Sequence, residues 1–356
     1  MHKDRLARVI ENMVRMDLPQ IIVSSPLSIY YLTGVDVQPM ERMLALYLDR
    51  EGRCILHGNA LFGLEAQPGM ELCVHTDSDN PVVQLAGQLH PGKLGVDKAW
   101  PSRFLIGLLE ARPDIIPVVG SAPVDEARMC KDADEIAAMR HASAINDQVM
   151  AAAIAAIREG VRERELADLV EREYAARGAD RSTEGQLVCF GPNGADPHHT
   201  PNDTVIRPGD SVVLDIFIPI QRYWCDMTRT VFFRSADEEA RKVYDTVRRA
   251  NLTAEAMIRP GLPMRDIDRA ARQVIEEAGY GAYFTHRLGH GCGLDCHEPP
   301  DNSSACQTLT QPGMVFSVEP GIYLPGRLGV RIEDLVLVTP EGCEVLNHAT
   351  KDLTVL

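Results

Sequence analysis

The sequence predicts two domains: an α/β domain with a mixed sheet over residues 1–127, and an α+β domain carrying an internal repeat over residues 128–356. Three observations support this. At 356 residues the chain exceeds what one hydrophobic core usually organises. Up to residue 125, helix-like and strand-like segments alternate. Beyond that point, two stretches of the chain echo each other.

In the first domain, Leu6, Val9, Ile10, Met13 and Val14 recur at helical spacing. Gln20 to Ser25 (QIIVSS) reads as a buried strand, and SPLSIYYLTG as a short helix ended by Gly34. MLALYLDREGRCILHG predicts a hairpin turning at Arg50-Glu51-Gly52. KLGVD and PDIIPVVG read as short strands, each after a helical stretch. No Gly-rich phosphate loop follows a strand here, and acids and histidines do not cluster. Periodicity lapses over Gly120 to Glu135, which marks the boundary. A long helix is expected from Asp132 to Arg158, with Asp132, Asp134 and Glu135 at its positive end.

The repeat follows. IREGVRERELA from Ile157 returns as IRPGLPMRDID from Ile258, an offset of 101, and both lead into a further helix. RPGDSVVLD from Arg207 returns as QPGMVFSVE from Gln311, an offset of 104. In each copy an acid follows the Pro-Gly turn within an apolar strand, Asp215 and then Glu319, and the next strand brings a second, Asp226 and then Glu333. An unpaired carboxylate in an apolar strand is costly, so each pair either stands at the solvent-exposed ends of a hairpin or needs a cation. Four acids placed by a duplication in four strands favour the cation.

Composition narrows the rest. Hydrophobic residues at 45% and charged residues at 24% are ordinary for a globular chain. A net charge of -15 without a basic run disfavours nucleic acid. No segment reaches the roughly 20 apolar residues of a membrane helix. The charged N-terminus lacks a signal-peptide core, and nine cysteines at no paired spacing predict reduced thiols in a cytoplasm. Cys292 and Cys296 read as small apolar filler.

Between the second-copy helix and strand lies THRLGHGCGLDCHEPP, with His286, His290 and His297 among glycines; His198 and His199 sit on a Gly/Pro-rich loop before the first acid strand. Histidines beside a four-acid cluster suit ligand and acid–base roles. Asp215, Asp226, His290, Glu319 and Glu333, in LDIF, CDMTRT, GHGCG, VEPG and RIED at spacings of 11, 64, 29 and 14, resemble the five metal ligands of the pita-bread metallopeptidases. Over nearly the whole chain the resemblance is to the prolidase and aminopeptidase P branch, with its creatinase-type N-terminal domain.

This resemblance implies two divalent ions per subunit, with manganese the first expectation and cobalt, iron or zinc the alternatives. Asp226 and Glu333 would bridge them, Asp215 would complete one site, and His290 with Glu319 the other. It implies hydrolysis of the bond preceding proline in small peptides, by a water that both ions activate. Glu319 is expected to accept the proton, His198 and His297 to steady the intermediate, and His286, Arg331 and Thr228 to orient ligands, with Thr228 bracing Asp226. For His199 a structural role stands beside a functional one. A homodimer is expected.

One position departs from the family's pattern. Where several prolidases carry an arginine shortly after HE-x-P, suited to a dipeptide's carboxylate, HEPPD places Asp301. Either Arg42 or Arg327 takes over that role, or dipeptides are not preferred. Two other readings keep the fold: a metal hydrolase acting on a non-peptide C–N or related bond, and a silent binding module. Silent members lose ligands, and all five are present here.

Overall fold

The computed structural model describes Met1–Leu356, and these residues form two units, Met1–Arg128 and Met129–Leu356. In the first unit, the periodic Leu6, Val9 and Met13 form the buried stripe of α1 (Lys3–Arg15). The fully buried β1 (Gln20–Val23) leads to α2 (Pro26–Thr33), which the Ser25 hydroxyl caps and Gly34 ends at φ 75°. β2 (Ala45–Asp49) and β3 (Cys54–Asn59) form the expected hairpin. They are followed by β4 (Glu71–His75), α3 (Pro81–Ala86), β5 (Gly92–Val96), α4 (Ser102–Ala111), β6 (Ile115–Val119) and α5 (Ala122–Met129).

The six strands make one mixed sheet in the order β4-β3-β2-β1-β5-β6. β1–β2 and β2–β3 are antiparallel, while β3–β4, β1–β5 and β5–β6 are parallel. Two details differ from expectation. β4 escapes notice in the sequence because it is an edge strand with Glu71 and Val74 turned to solvent. The boundary stretch is helical at α5, where polar Asp125, Glu126 and Arg128 obscure the buried Val124, Ala127 and Met129.

The second unit opens with α6 (Ala133–Ala155), started by a reciprocal capping box between Asp132 and Glu135, and then α7 (Glu163–Ala176). β7 (Leu187–Phe190) precedes a long hairpin of β8 (Ser211–Ile220) and β9 (Tyr223–Phe232). Gln221 and Arg222 both take positive φ, 50° and 73°, as a two-residue hairpin turn requires. The helix pair then recurs as α8 (Glu238–Met257) and α9 (Met264–Glu277). After it come β10 (Gly289–Gly291), β11 (Glu298–Asn302), β12 (Val315–Val318), β13 (Gly321–Leu324), β14 (Leu328–Arg331), β15 (Asp334–Val338) and β16 (Cys343–Val345).

Each helix pair covers its own hairpin. Val149, Leu166 and Val170 pack on Leu214, Ile216 and Met227; Val247, Ile267 and Ala271 pack on Phe316, Val318 and Val336. The sheets run β7-β8-β9 and β11-β10-β12-β15-β16, with β13-β14 a separate ribbon inserted between β12 and β15. That insertion corrects the expectation of four acids within four strands. Asp215 and Asp226 lie inside β8 and β9, whereas Glu319 comes just after β12 and Glu333 just before β15. No helix is long and apolar enough to cross a membrane.

Candidate metal centre

The site is assembled from backbone pairings. In the β8–β9 ladder Asp215 lies opposite Thr228, and Phe217 opposite Asp226, so both acids point from a rigid ribbon rather than from exposed hairpin ends. They are only 8% and 4% exposed. The second copy is tied to this ribbon directly: the Glu333 amide donates to the Thr228 carbonyl at 3.0 Å. The buried Arg229 donates to the Glu333 carbonyl at 2.7 Å and to Asp334 at 2.6 Å. The Glu319 amide donates to Leu288 O at 2.8 Å, fixing it beside β10.

Histidine 290 stands at the middle of β10, squeezed between β11 and β12. A Cβ on Gly289 would fall 2.1 Å from Ser317 O, and one on Gly291 2.4 Å from Glu298 O. Only glycine on both sides lets three backbones pass this closely. The result is a cavity of about 660 Å³. It is lined by Asp215, Asp226, His290, Glu319 and Glu333, together with His198, His286, His297, Arg331, Arg287, Thr285, Cys296, Leu187, Pro197 and Phe217. All five residues of the sequence pattern therefore meet in one place.

The electrostatics of this cavity are unfavourable by themselves. Burial, followed by repulsion from the neighbouring acids, pushes the carboxyls of Asp226 and Glu333 well above the usual range. Burial also raises Glu319, partly offset by His286 and Arg331. His290 is pushed down to about 4, mainly by burial, and is therefore neutral at pH 7. Its Nδ1 lies 3.2 Å from the Gly291 carbonyl, which can only accept, so Nδ1 carries the proton. The Nε2 lone pair consequently faces Glu319 Oε1 at 3.4 Å and Asp226 Oδ2 at 3.7 Å.

A lone pair aimed at two carboxylates repels them unless a cation lies between. Asp226, His290 and Glu333 each present a donor atom, all within 4.8 Å of one another. Asp215 Oδ1 and Asp226 Oδ1 are buried without a hydrogen-bond partner. This donor set fits a hard divalent cation.

The surrounding groups are placed by equally definite contacts. Arg331 gives Nε to Thr228 Oγ1 at 3.0 Å, Nη1 to Tyr323 OH at 2.9 Å and Nη2 to Asp215 Oδ2 at 2.6 Å. The His286 Nδ1–H donates to the Arg287 carbonyl, so its Nε2 accepts from Tyr323 OH at 2.7 Å. Thr228 donates to Glu333 Oε2 at 2.7 Å. It therefore braces Glu333, not Asp226, because the second copy lies against that face of β9. The His297 ring sits 4.1 Å from that of His290, and His198 stands on the opposite loop, its amide held by Asp196.

His199 has turned away from the cavity. Its Nε2 meets Glu163 at 2.9 Å, and the fully buried Glu163 carboxylate also accepts from the amides of Phe190 and Asn202, pinning the loop that carries His198. Cys296 is more than filler: its thiol lines the cavity 3.6 Å from Asp226 Oδ2. Arg327 is held by Asp237 and Glu239 and does not line the cavity; Arg42 is held by Asp77 and Glu41 in the N-terminal unit.

Sequence reasoning misses Tyr323 and Arg287. The tyrosine in PGIYLPG, eight residues before Arg331, is the only available signal for the first; for Arg287 it is its place in the histidine segment.

The chain matches the model of metallopeptidase family M24 over residues 137–340, and that of the creatinase/prolidase N-terminal domain over residues 5–130. It is 34% identical to an uncharacterized peptidase of Staphylococcus aureus (strain bovine RF122 / ET3-1), over 98% of this chain and 99% of that one. The crystal structure of a prolidase from Thermococcus sibiricus superposes with a TM-score of 0.92 at 34% identity, covering 100% of this chain and 99% of that one. A Xaa-Pro dipeptidase from Bacillus anthracis gives 0.90 at 29% identity, covering 99% of each chain. With its pita-bread domain and creatinase-type N-terminal domain, the chain belongs to metallopeptidase family M24.

Proposed function

We propose that this metallopeptidase hydrolyses the peptide bond preceding proline in short peptides, using two divalent cations, manganese foremost. The observation that carries the reading is the neutral His290, its Nε2 lone pair turned on Glu319 and Asp226 within a nest of four acids, three of them buried. The names of the two structural relatives, a prolidase and a Xaa-Pro dipeptidase, support the substrate class. An X–Pro bond has no N–H and a restricted φ, so a peptidase that grips that N–H cannot use it.

In this reading Asp215, Asp226, His290, Glu319 and Glu333 would hold the ions. Bound there, the ions would lower the pKa of a water and polarise the scissile carbonyl, as paired metal ions do in aminopeptidases generally. Glu319 takes the proton and passes it to the leaving nitrogen. His198 and His297 donate to the oxygen that gains charge. Arg331 holds Asp215 in place, and the Arg331–Tyr323–His286 chain keeps His286 in one tautomer. The reading includes a homodimer in a reducing cytoplasm, the latter supported by nine unbonded cysteines.

The test is a panel of Ala-Pro and Met-Pro dipeptides against X-Pro-Y tripeptides, with metal analysis of the wild type and Asp226→Asn. Cleavage of X–Pro bonds and loss of metal in the variant are expected. Cleavage of neither substrate class, with metal content unchanged in Asp226→Asn, would overturn the reading.

A further inference from the structure

Two guanidinium groups line the cavity, and they differ in what they have left to give. Arg331 is buried, and its Nε, Nη1 and Nη2 are committed to Thr228, Tyr323 and Asp215. Arg287 is 42% exposed at the side chain, and only its Nη1 has a partner, Asp301 Oδ1. Asp301 is itself 44% exposed, does not line the cavity, and accepts at Oδ2 from the Ser303 hydroxyl. Arg287 lies just before β10 and Asp301 within β11, the strand paired antiparallel with it, and the ion pair spans the two.

The remaining N–H groups of Arg287 form a fork open to solvent at the cavity wall. A guanidinium edge of this kind takes a carboxylate through two parallel hydrogen bonds. An exposed Arg–Asp pair is weak enough to admit a second anion. With Arg331 buried and each of its nitrogens already engaged, the exposed Arg287 is the guanidinium of that wall that a substrate anion can reach.

Building on the X–Pro reading above, we propose that Arg287 receives the C-terminal carboxylate of a dipeptide, while Asp301, steadied by Ser303, holds the guanidinium at the wall. Asp301 thus aims the carboxylate-binding arginine. Arg42 and Arg327, each engaged by acids elsewhere, are not needed. The enzyme is then a dipeptidase by electrostatics: a longer chain or a C-terminal amide brings no charge to this point.

The test compares Ala-Pro with Ala-Pro amide on the manganese-loaded wild type, Arg287→Gln, Arg287→Lys and Asp301→Asn. The wild type is expected to prefer the free acid by about tenfold or more in kcat/KM, mostly through KM. Arg287→Gln should remove most of that preference, Arg287→Lys should keep part of it, and Asp301→Asn should keep the arginine's charge but reduce the preference severalfold by loosening its aim. Proline should inhibit the wild type competitively and more strongly than prolinamide. A wild type without preference for the acid, or an Arg287→Gln enzyme that loses the same factor on both substrates, overturns the assignment. A wild type that cleaves neither the acid nor the amide contradicts the X–Pro reading itself, and the assignment falls with it.

Discussion

The two copies of the helix–helix–hairpin unit deliver the same pair of acids by different means. In the first copy, β8 and β9 are unbroken ten-residue strands, and Asp215 and Asp226 are fixed by their ladder. In the second, β12 stops at Val318 and β15 starts at Asp334, and the β13–β14 ribbon fills the gap between Glu319 and Glu333. Those acids are held by single backbone bonds outside a ladder and by side chains: Glu319 by Leu288 O and by Ser317 Oγ at 3.1 Å, Glu333 by the carbonyl and hydroxyl of Thr228. The break has a use. The inserted ribbon carries Tyr323 and Arg331 into the centre. A continuous ladder makes a stiff platform, and an interrupted one makes room for further polar groups such as Tyr323 and Arg331.

If the copies have divided their roles in this way, Glu319→Gln should be the most damaging change, lowering kcat by about a thousandfold or more through loss of both a ligand and the proton acceptor. Its counterpart Asp215→Asn should cost less when metal is in excess. Rates and metal content measured side by side decide this. Equal losses at matched metal occupancy would break the asymmetry.

The inserted ribbon is probed next. Tyr323→Phe removes the donor to His286 and an acceptor for Arg331, and should lower kcat by about 10- to 100-fold with metal content retained. An unaltered kcat would make the ribbon structural only. Thr228→Val, at the seam between the copies, leaves Glu333 Oε2 and Arg331 Nε short of a partner. Destabilisation of the apo-protein by about 1–3 kcal/mol is expected in denaturant unfolding.

Much of this difference is not legible in the sequence. The two Pro-Gly turns and the acids six residues beyond each Gly locate the repeat, because a duplicated backbone keeps its spacing. The five-residue pattern locates the cavity through its resemblance to the ligand set of the family. What fails is the secondary structure between Glu319 and Glu333: GIYLPGRLGVR is apolar enough to pass for one strand and its return, and nothing local says that it pairs with itself. Thr228 reads as a brace for Asp226 because strand alternation shows which face a residue takes, but not what packs on that face. Arg287 and the turned-away His199 depend on partners 14 and 36 residues distant.

The last expected effect lies outside the repeat, shows only at acid pH, and serves as its contrast. His57 in β3 is buried with neither ring nitrogen hydrogen-bonded, and its pKa is pushed down from 6.5 to about 4 by burial, with His75 and Arg53 adding to the shift. Between these values the unfolded chain binds the proton and the folded unit does not. Stability is therefore fully present above about pH 6.5 and declines as pH falls towards 4, by about 1.4 kcal/mol per unit at most. Thermal unfolding of His57→Phe should show a flatter acid limb than the wild type, and no change in that limb would place the acid sensitivity elsewhere.

The most direct test of the shared centre is calorimetric titration of the metal-free protein with Mn²⁺, for the wild type, Asp226→Asn from the first copy and Glu333→Gln from the second. Two ions per chain in the wild type, with both variants losing high-affinity binding of both ions, is the expected result. One ion or none in the wild type, or a variant that still binds two with unchanged affinity, would contradict a centre bridged by one acid from each copy.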